Sequence, residues 1–166
     1  MASRSFTGNP SQVIVEQLAA SGINHLFYNS GSREARFFDA LHSRAGIDGI
    51  LGLHEGAVAA MAGGFAQVNS QPAVMSVHLG AGLAQSMGQM INVWAASLPV
   101  VTITFVGDTG SYADRITLDL SHNTGPTSIM APLMKANWTV IEPNGVAAAV
   151  DRAIKVATTP PIGPGH

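Results

Sequence analysis

Apolar and polar positions along this chain come in blocks. Short apolar runs bounded by glycine, proline or asparagine fall at 23–28, 46–53, 73–79, 100–107 and 138–141, and each predicts a strand. Longer segments between them have helical spacing. Asn9-Pro10 offers a cap and a proline at the first helical position; the helix runs through SQVIVEQLAASG and ends at Gly22. REARFFDALHSR is amphipathic through Ala35, Phe38 and Leu41, with Ser32 placed to cap it. GAVAAMAGGFAQVN is rich in small residues and predicts a helix packed close to a neighbour. Gly80-Ala81-Gly82 reads as a turn into a helix over LAQSMGQMINVWAAS. A long loop with at most one helical turn is expected over 108–127, a short helix over 128–135, a clear helix over GVAAAVDRAIKVATT and a loop over PPIGPGH. Strands alternating with helices predict an α/β fold, a parallel β-sheet with helices on both faces. Such sheets bind ligands at the carboxyl ends of their strands. The Asn29–Ser32 loop, Glu55 and residues 78–82 all fall there.

Charge sharpens this picture. From Gly56 to Gly107 there is no Asp, Glu, Lys or Arg, while His54 and Glu55 stand immediately before the run and Asp108 immediately after it. A segment this long without charge belongs in a core or a subunit interface. It does not read as a membrane span, because Gln67, Asn69, Ser70, Gln71 and Pro72 break its first half and His78, Gln85, Ser86, Gln89 and Asn92 its second. Charged residues make up 11% of the chain and apolar ones 46%, against the usual charged share of about a quarter. The net charge of -2 supplies no basic footprint for nucleic acid. There is no cysteine, hence no disulfide framework and no thiolate metal site, which fits a cytoplasmic setting. The N-terminal residues lack the apolar core of a signal peptide. The 166 residues suffice for a single domain with a sizeable core.

Three side chains could carry chemistry. Glu55 is a carboxylate at a strand end, followed at once by apolar sequence. Desolvation there would let it share a proton with a ligand nitrogen, while the alternative is a helix N-terminal glutamate stabilised by the dipole. His78 near the end of a buried strand is either a hydrogen-bonded core residue or a proton carrier. Ser32 is most simply a helix cap. Gly80 and Gly82 leave room for a ligand against the backbone, or serve the turn. The dinucleotide fingerprint fails, since Gln85 stands where its third glycine belongs, and no phosphate loop, zinc-protease helix or nucleophile elbow is present.

The pieces NSGSREARFF, GLHEGAVAAMAGGFAQ and SVHLGAGLAQSMGQMINVWAASLPVVTITF occur in that order. Together they resemble the N-terminal pyrimidine-binding domain of thiamine-diphosphate-dependent enzymes, the decarboxylase and acetolactate synthase group. His78 inclines the resemblance towards the benzoylformate decarboxylases. The resemblance implies that Glu55 hydrogen-bonds the pyrimidine nitrogen of thiamine diphosphate. That bond stabilises the imino form of the ring's amino group, which then removes the thiazolium proton. It implies a proton-transfer role for His78 on a 2-oxo acid and a substrate-carboxylate contact for Ser32. Gly80, Gly82 and Gln85 would lie at the cofactor, although relatives often have asparagine where Gln85 stands.

The whole chain, residues 1–166, then corresponds to one domain, without the middle and diphosphate-binding domains. Its active site would be completed by the diphosphate-binding domain of another subunit, in a homo-oligomer, with Mg²⁺ held on that domain and no metal on this chain. Gly107-Asp108-Thr109 with Asn137 downstream only imitates the family's metal motif, because threonine replaces its second glycine. The chain is expected to be inactive alone, as a fragment or as a naturally split subunit. A carboligase domain or a non-catalytic assembly module are the alternative readings.

Overall fold

A computed structural model describes residues 5–69, 71–106 and 125–166. Its elements are α1 (Pro10–Ala20), β1 (His25–Tyr28), α2 (Ala35–His42), β2 (Asp48–Leu51), α3 (Glu55–Asn69), β3 (Ala73–His78), α4 (Leu79–Ala95), β4 (Val100–Phe105), α5 (Gly125–Met130) and α6 (Val146–Thr158). The strands form a parallel sheet in the order β2-β1-β3-β4. The predicted α/β class holds. β3 has five consecutive buried residues before His78, because a central strand covered on both faces has no water-facing side. β2, at the edge, is largely exposed.

Alternation along the strands sorts the apolar side chains into two cores. Leu26, Val74 and Val101 face α1, α2 and α6, packing on Leu18, Phe37 and Ile154. Phe27, Met75, Val77 and Val100 face α3, α4 and α5, packing on Val58, Leu83 and Met130. Helix α1 is closed by a capping box, as Asn9 and Pro10 suggest: the Asn9 side chain accepts from the Gln12 N–H at 3.0 Å, and Gln12 Oε1 accepts from the Asn9 N–H at 2.9 Å. The expected close packing of α3 is present. A Cβ on Gly63 would stand 3.0 Å from Val93 Cγ2 on α4. No helix among the described residues is long and apolar enough to cross a membrane.

Five local expectations are corrected. Gly80-Ala81-Gly82 is no turn: α4 begins at Leu79, directly after β3, so both glycines lie in the first helical turn. Ser32 does not cap α2. A 3-10 turn over Ser32–Glu34 precedes that helix, and Gly31 occupies its cap position. The segment 138–141 is not a strand. Residues 163–166, expected to be a loop, lie instead between β4 and residues 135–138. There the Thr102 N–H donates to Gly165 O at 2.8 Å, and the Trp138 N–H to His166 O at 2.9 Å. The short helix begins earlier, as α5, and continues as a 3-10 turn over Ala131–Leu133. The loop read over 108–127 lies outside the described residues as far as 124, and so does the Gly107-Asp108-Thr109 imitation.

The His166 ring is enclosed beside β4, with Nε2 3.3 Å from Thr104 Oγ1 and Nδ1 buried without a partner. Burial lowers its pKa from 6.5 to about 4. The unfolded chain therefore takes up this proton more readily than the folded one. The stabilisation is complete above pH 6.5 and is lost as pH falls towards 4. In chemical denaturation followed at a series of pH values, His166→Asn is expected to lose less stability than the parent chain between those two pH limits.

Candidate functional site

In the strand order, β1 leads to β2 on one side, and β3 leads to β4 on the other. The chain reverses its winding between β1 and β3, and the crevice at their carboxyl ends is where open α/β sheets take ligands. Asn29 pins the loop that leaves β1. Its N–H donates to Ser76 O at 3.1 Å, and its Nδ2 donates to Gly52 O at 2.9 Å. Residues 31–34 are thereby laid across the end of β3.

Glu34 is fully buried, with 0% of its surface exposed. Its carboxylate meets His78 Nδ1 at 3.0 Å through Oε1 and at 2.8 Å through Oε2. Oε2 also accepts from the Gly31 N–H at 2.9 Å. A carboxylate can only accept, so the proton of the neutral His78 ring sits on Nδ1 and the lone pair on Nε2. No hydrogen bond engages Nε2 among the described residues, and the His78 side chain keeps 22% exposure.

Glu55 opens α3 on the other face of β3. Gly52 lets the chain turn tightly there: a Cβ on it would lie 2.6 Å from Val58 Cγ2. His54 Nδ1 accepts from the Gly56 N–H at 3.0 Å, which holds the first turn. The Glu55 carboxylate lies against α4, where a Cβ on Gly82 would be 3.4 Å from its Oε1 and 3.3 Å from Val77 Cβ. Glu55 is half-buried and makes no side-chain hydrogen bond or ion pair among the described residues.

The structure thus gathers Glu55, His78, Gly80 and Gly82 around the junction of β3 and α4. Ser32 is exposed, one residue beyond the Gly31 that touches the His78 ring. Gln85 is exposed one helical turn past Gly82, with its side chain outside any hydrogen bond among the described residues. Sequence reasoning missed Glu34. The available signal was its place three residues after Gly31, the spacing at which a glutamate reaches back to a cap N–H. Among the described residues no group of three or more His, Asp or Glu side chains is placed to hold a metal ion.

Residues 9–127 match the family described as thiamine pyrophosphate enzyme, N-terminal TPP binding domain. Benzoylformate decarboxylase of Pseudomonas aeruginosa is 33% identical over 149 residues, 90% of this chain and 27% of that protein. The acetolactate synthase large subunit of Lactococcus lactis is 27% identical over 154 residues, 93% of this chain and 26% of that protein. Among solved structures, the thiamine diphosphate-dependent 4-hydroxybenzoylformate decarboxylase of Rhodococcus jostii RHA1 superposes with a TM-score of 0.86 at 27% identity, covering 95% of this chain and 29% of that one. The chain therefore spans only about a quarter of its curated relatives, 27% and 26% of the two named. With its parallel sheet, its reversal of winding between β1 and β3 and this match, the chain belongs to the thiamine pyrophosphate enzymes as their N-terminal TPP-binding domain.

Proposed function

We propose that this chain is the pyrimidine-binding part of a thiamine-diphosphate-dependent 2-oxo acid decarboxylase of the benzoylformate type. The observation that supports this reading is the half-buried Glu55 carboxylate, without a side-chain partner among the described residues, against Gly82. Its donor set fits the cofactor: one carboxyl group for a ring nitrogen, packed against a glycine whose missing side chain leaves the carboxylate its place. Thiamine diphosphate, when bound, supplies the carbanion-stabilising centre. Glu55 would hold a proton at the pyrimidine nitrogen and fix the ring's orientation. Gly82 would leave the Glu55 carboxylate room beside α4, with Gly80 buried in the same turn, and Gln85 would face the rim of the ring. His78 Nε2, directed by Glu34 at Nδ1, would move a proton at the reacting carbon. The exposed Ser32 hydroxyl would donate to the substrate carboxylate. Carboligation of the acetolactate synthase kind is the second reading, favoured by relatives that carry that name.

The remaining parts would come from elsewhere. Mg²⁺ and the diphosphate belong, in this proposal, to a diphosphate-binding domain on another subunit of a cytoplasmic homo-oligomer. Its docking face would be the uncharged outer side of α3 and α4. There Val68 is 83%, Trp94 53% and Ile91 50% exposed, and a Cβ on Gly64 or Gly88 meets nothing within 4 Å. An apolar patch of this kind marks an interaction surface.

Three outcomes test these assignments in the complete enzyme. Glu55→Gln should lower thiamine-diphosphate-dependent turnover of a 2-oxo acid by about 10²- to 10⁴-fold, with thermal stability changed by no more than about 1 kcal/mol. Unchanged turnover would leave the domain a mere assembly module. Glu34→Ala strips the buried partners of their acceptor and should destabilise the fold by ~1–3 kcal/mol, measured by urea denaturation, while also reducing activity. Ile91→Glu, at an exposed position, should leave the chain folded by circular dichroism yet weaken assembly in sedimentation velocity.

A further inference from the structure

The seat of His78 is built from backbone as much as from Glu34. The ring lies flat against Gly31: a Cβ there would overlap Nδ1, Cγ and Cε1 of the imidazole. Gly31 has φ -138° and ψ -175°, extended backbone that any residue adopts. Its glycine is therefore required for space and not for conformation. The residue after His78 shows the opposite requirement. Leu79 has φ 53°, in the left-handed region, and is wholly buried. Left-handed backbone is disfavoured for a leucine, and such strain collects at functional sites. Here it falls at the step where β3 becomes α4 without any intervening loop, between the histidine and Gly82, the glycine beside Glu55. No side chain caps α4, so the reversal is carried by the backbone alone.

We propose that Gly31 and Leu79 are positioning residues. Gly31 admits the imidazole by lacking a side chain, and Leu79 aims it by its left-handed backbone. Together they hold His78 in the Nδ1–H tautomer, with Nε2 free at the crevice. This deepens the proton-transfer role assigned above and rests on that reading for its purpose. The geometry of the seat does not.

The test reads the ring directly. ¹⁵N spectra of the histidine side chains are recorded on the full chain, without cofactor or substrate, at a pH where imidazole is neutral. His78→Asn identifies the His78 signals. The parent chain should show one fixed tautomer, protonated at Nδ1. Gly31→Ala keeps an allowed backbone and should lose that signature for a mixture of tautomers, while His25 and His54 remain unchanged. Leu79→Met preserves a side chain of similar volume that is unbranched at Cβ and should retain the fixed tautomer. Leu79→Ile is β-branched, resists the left-handed region and should lose it. A Gly31→Ala spectrum identical to the parent's, or equal behaviour of the Met and Ile variants at 79, overturns the proposal. Because cofactor plays no part in this readout, a confirmed seat in an enzyme indifferent to Glu55→Gln would sink the functional reading and leave the seat standing.

Discussion

Burial of the Glu34 carboxylate is the constraint that organises this site. A carboxylate taken out of water is costly unless its oxygens are hydrogen-bonded. Both Glu34 oxygens reach His78 Nδ1, and one of them also holds the Gly31 N–H. Those contacts join the loop after β1 to the last residue of β3, across the seam where the sheet reverses its winding. The loop cannot swing away without leaving a bare charge inside the protein. The crevice is thus held by electrostatics at one corner and by apolar packing of Phe37, on the same short segment, against Phe105 at a ring separation of 5.0 Å.

The pleat of β3 divides the chemistry. Successive side chains of a strand point to opposite faces. Val77 faces α3 and α4 and touches the place where Gly82 and the Glu55 carboxylate meet. His78, one residue later, faces Glu34. A single residue step along β3 therefore separates the face that meets Glu55, the acid that would serve a ring nitrogen, from the face that carries His78, the imidazole that would serve a reacting carbon. Immediate entry into α4 puts Gly82, which meets the Glu55 carboxylate, four residues after His78.

Much of this could be read from the residues alone. The alternation of apolar runs and helical segments predicts the parallel sheet, because continuous burial of a central strand leaves a plain trace in AVMSV. Glu55 could be singled out because a lone carboxylate before a chargeless stretch is rare. Glu34 was hidden for the opposite reason. It sits among Arg33, Arg36 and Asp39, where a charged residue looks like ordinary surface, and only the fold turns it inward. Gly80 and Gly82 suggest a turn by local preference. Tertiary packing overrules it, since the strained backbone at Leu79 makes the reversal in one residue. The segment 138–141 has strand-like composition, but residues 163–166 take the place beside β4, and pairing of that kind depends on contacts distant in sequence.

The lack of charge from Gly56 to Gly107 acts on the site as well as on packing. A carboxylate in a protein commonly finds a lysine or arginine. Glu55 has no ion pair among the described residues, and the helices beside it carry no cation to offer one. Among the described residues its local compensation is the N-terminal end of α3, worth a fraction of a full charge. In the proposed function, such an acid would meet a partner that brings its own proton-binding nitrogen and excludes water as it docks. A cationic side chain nearby would compete for the carboxylate. The chargeless helices thus keep the acid unengaged, and the same absence leaves α3 and α4 with an outer face suited to cover by another protein surface.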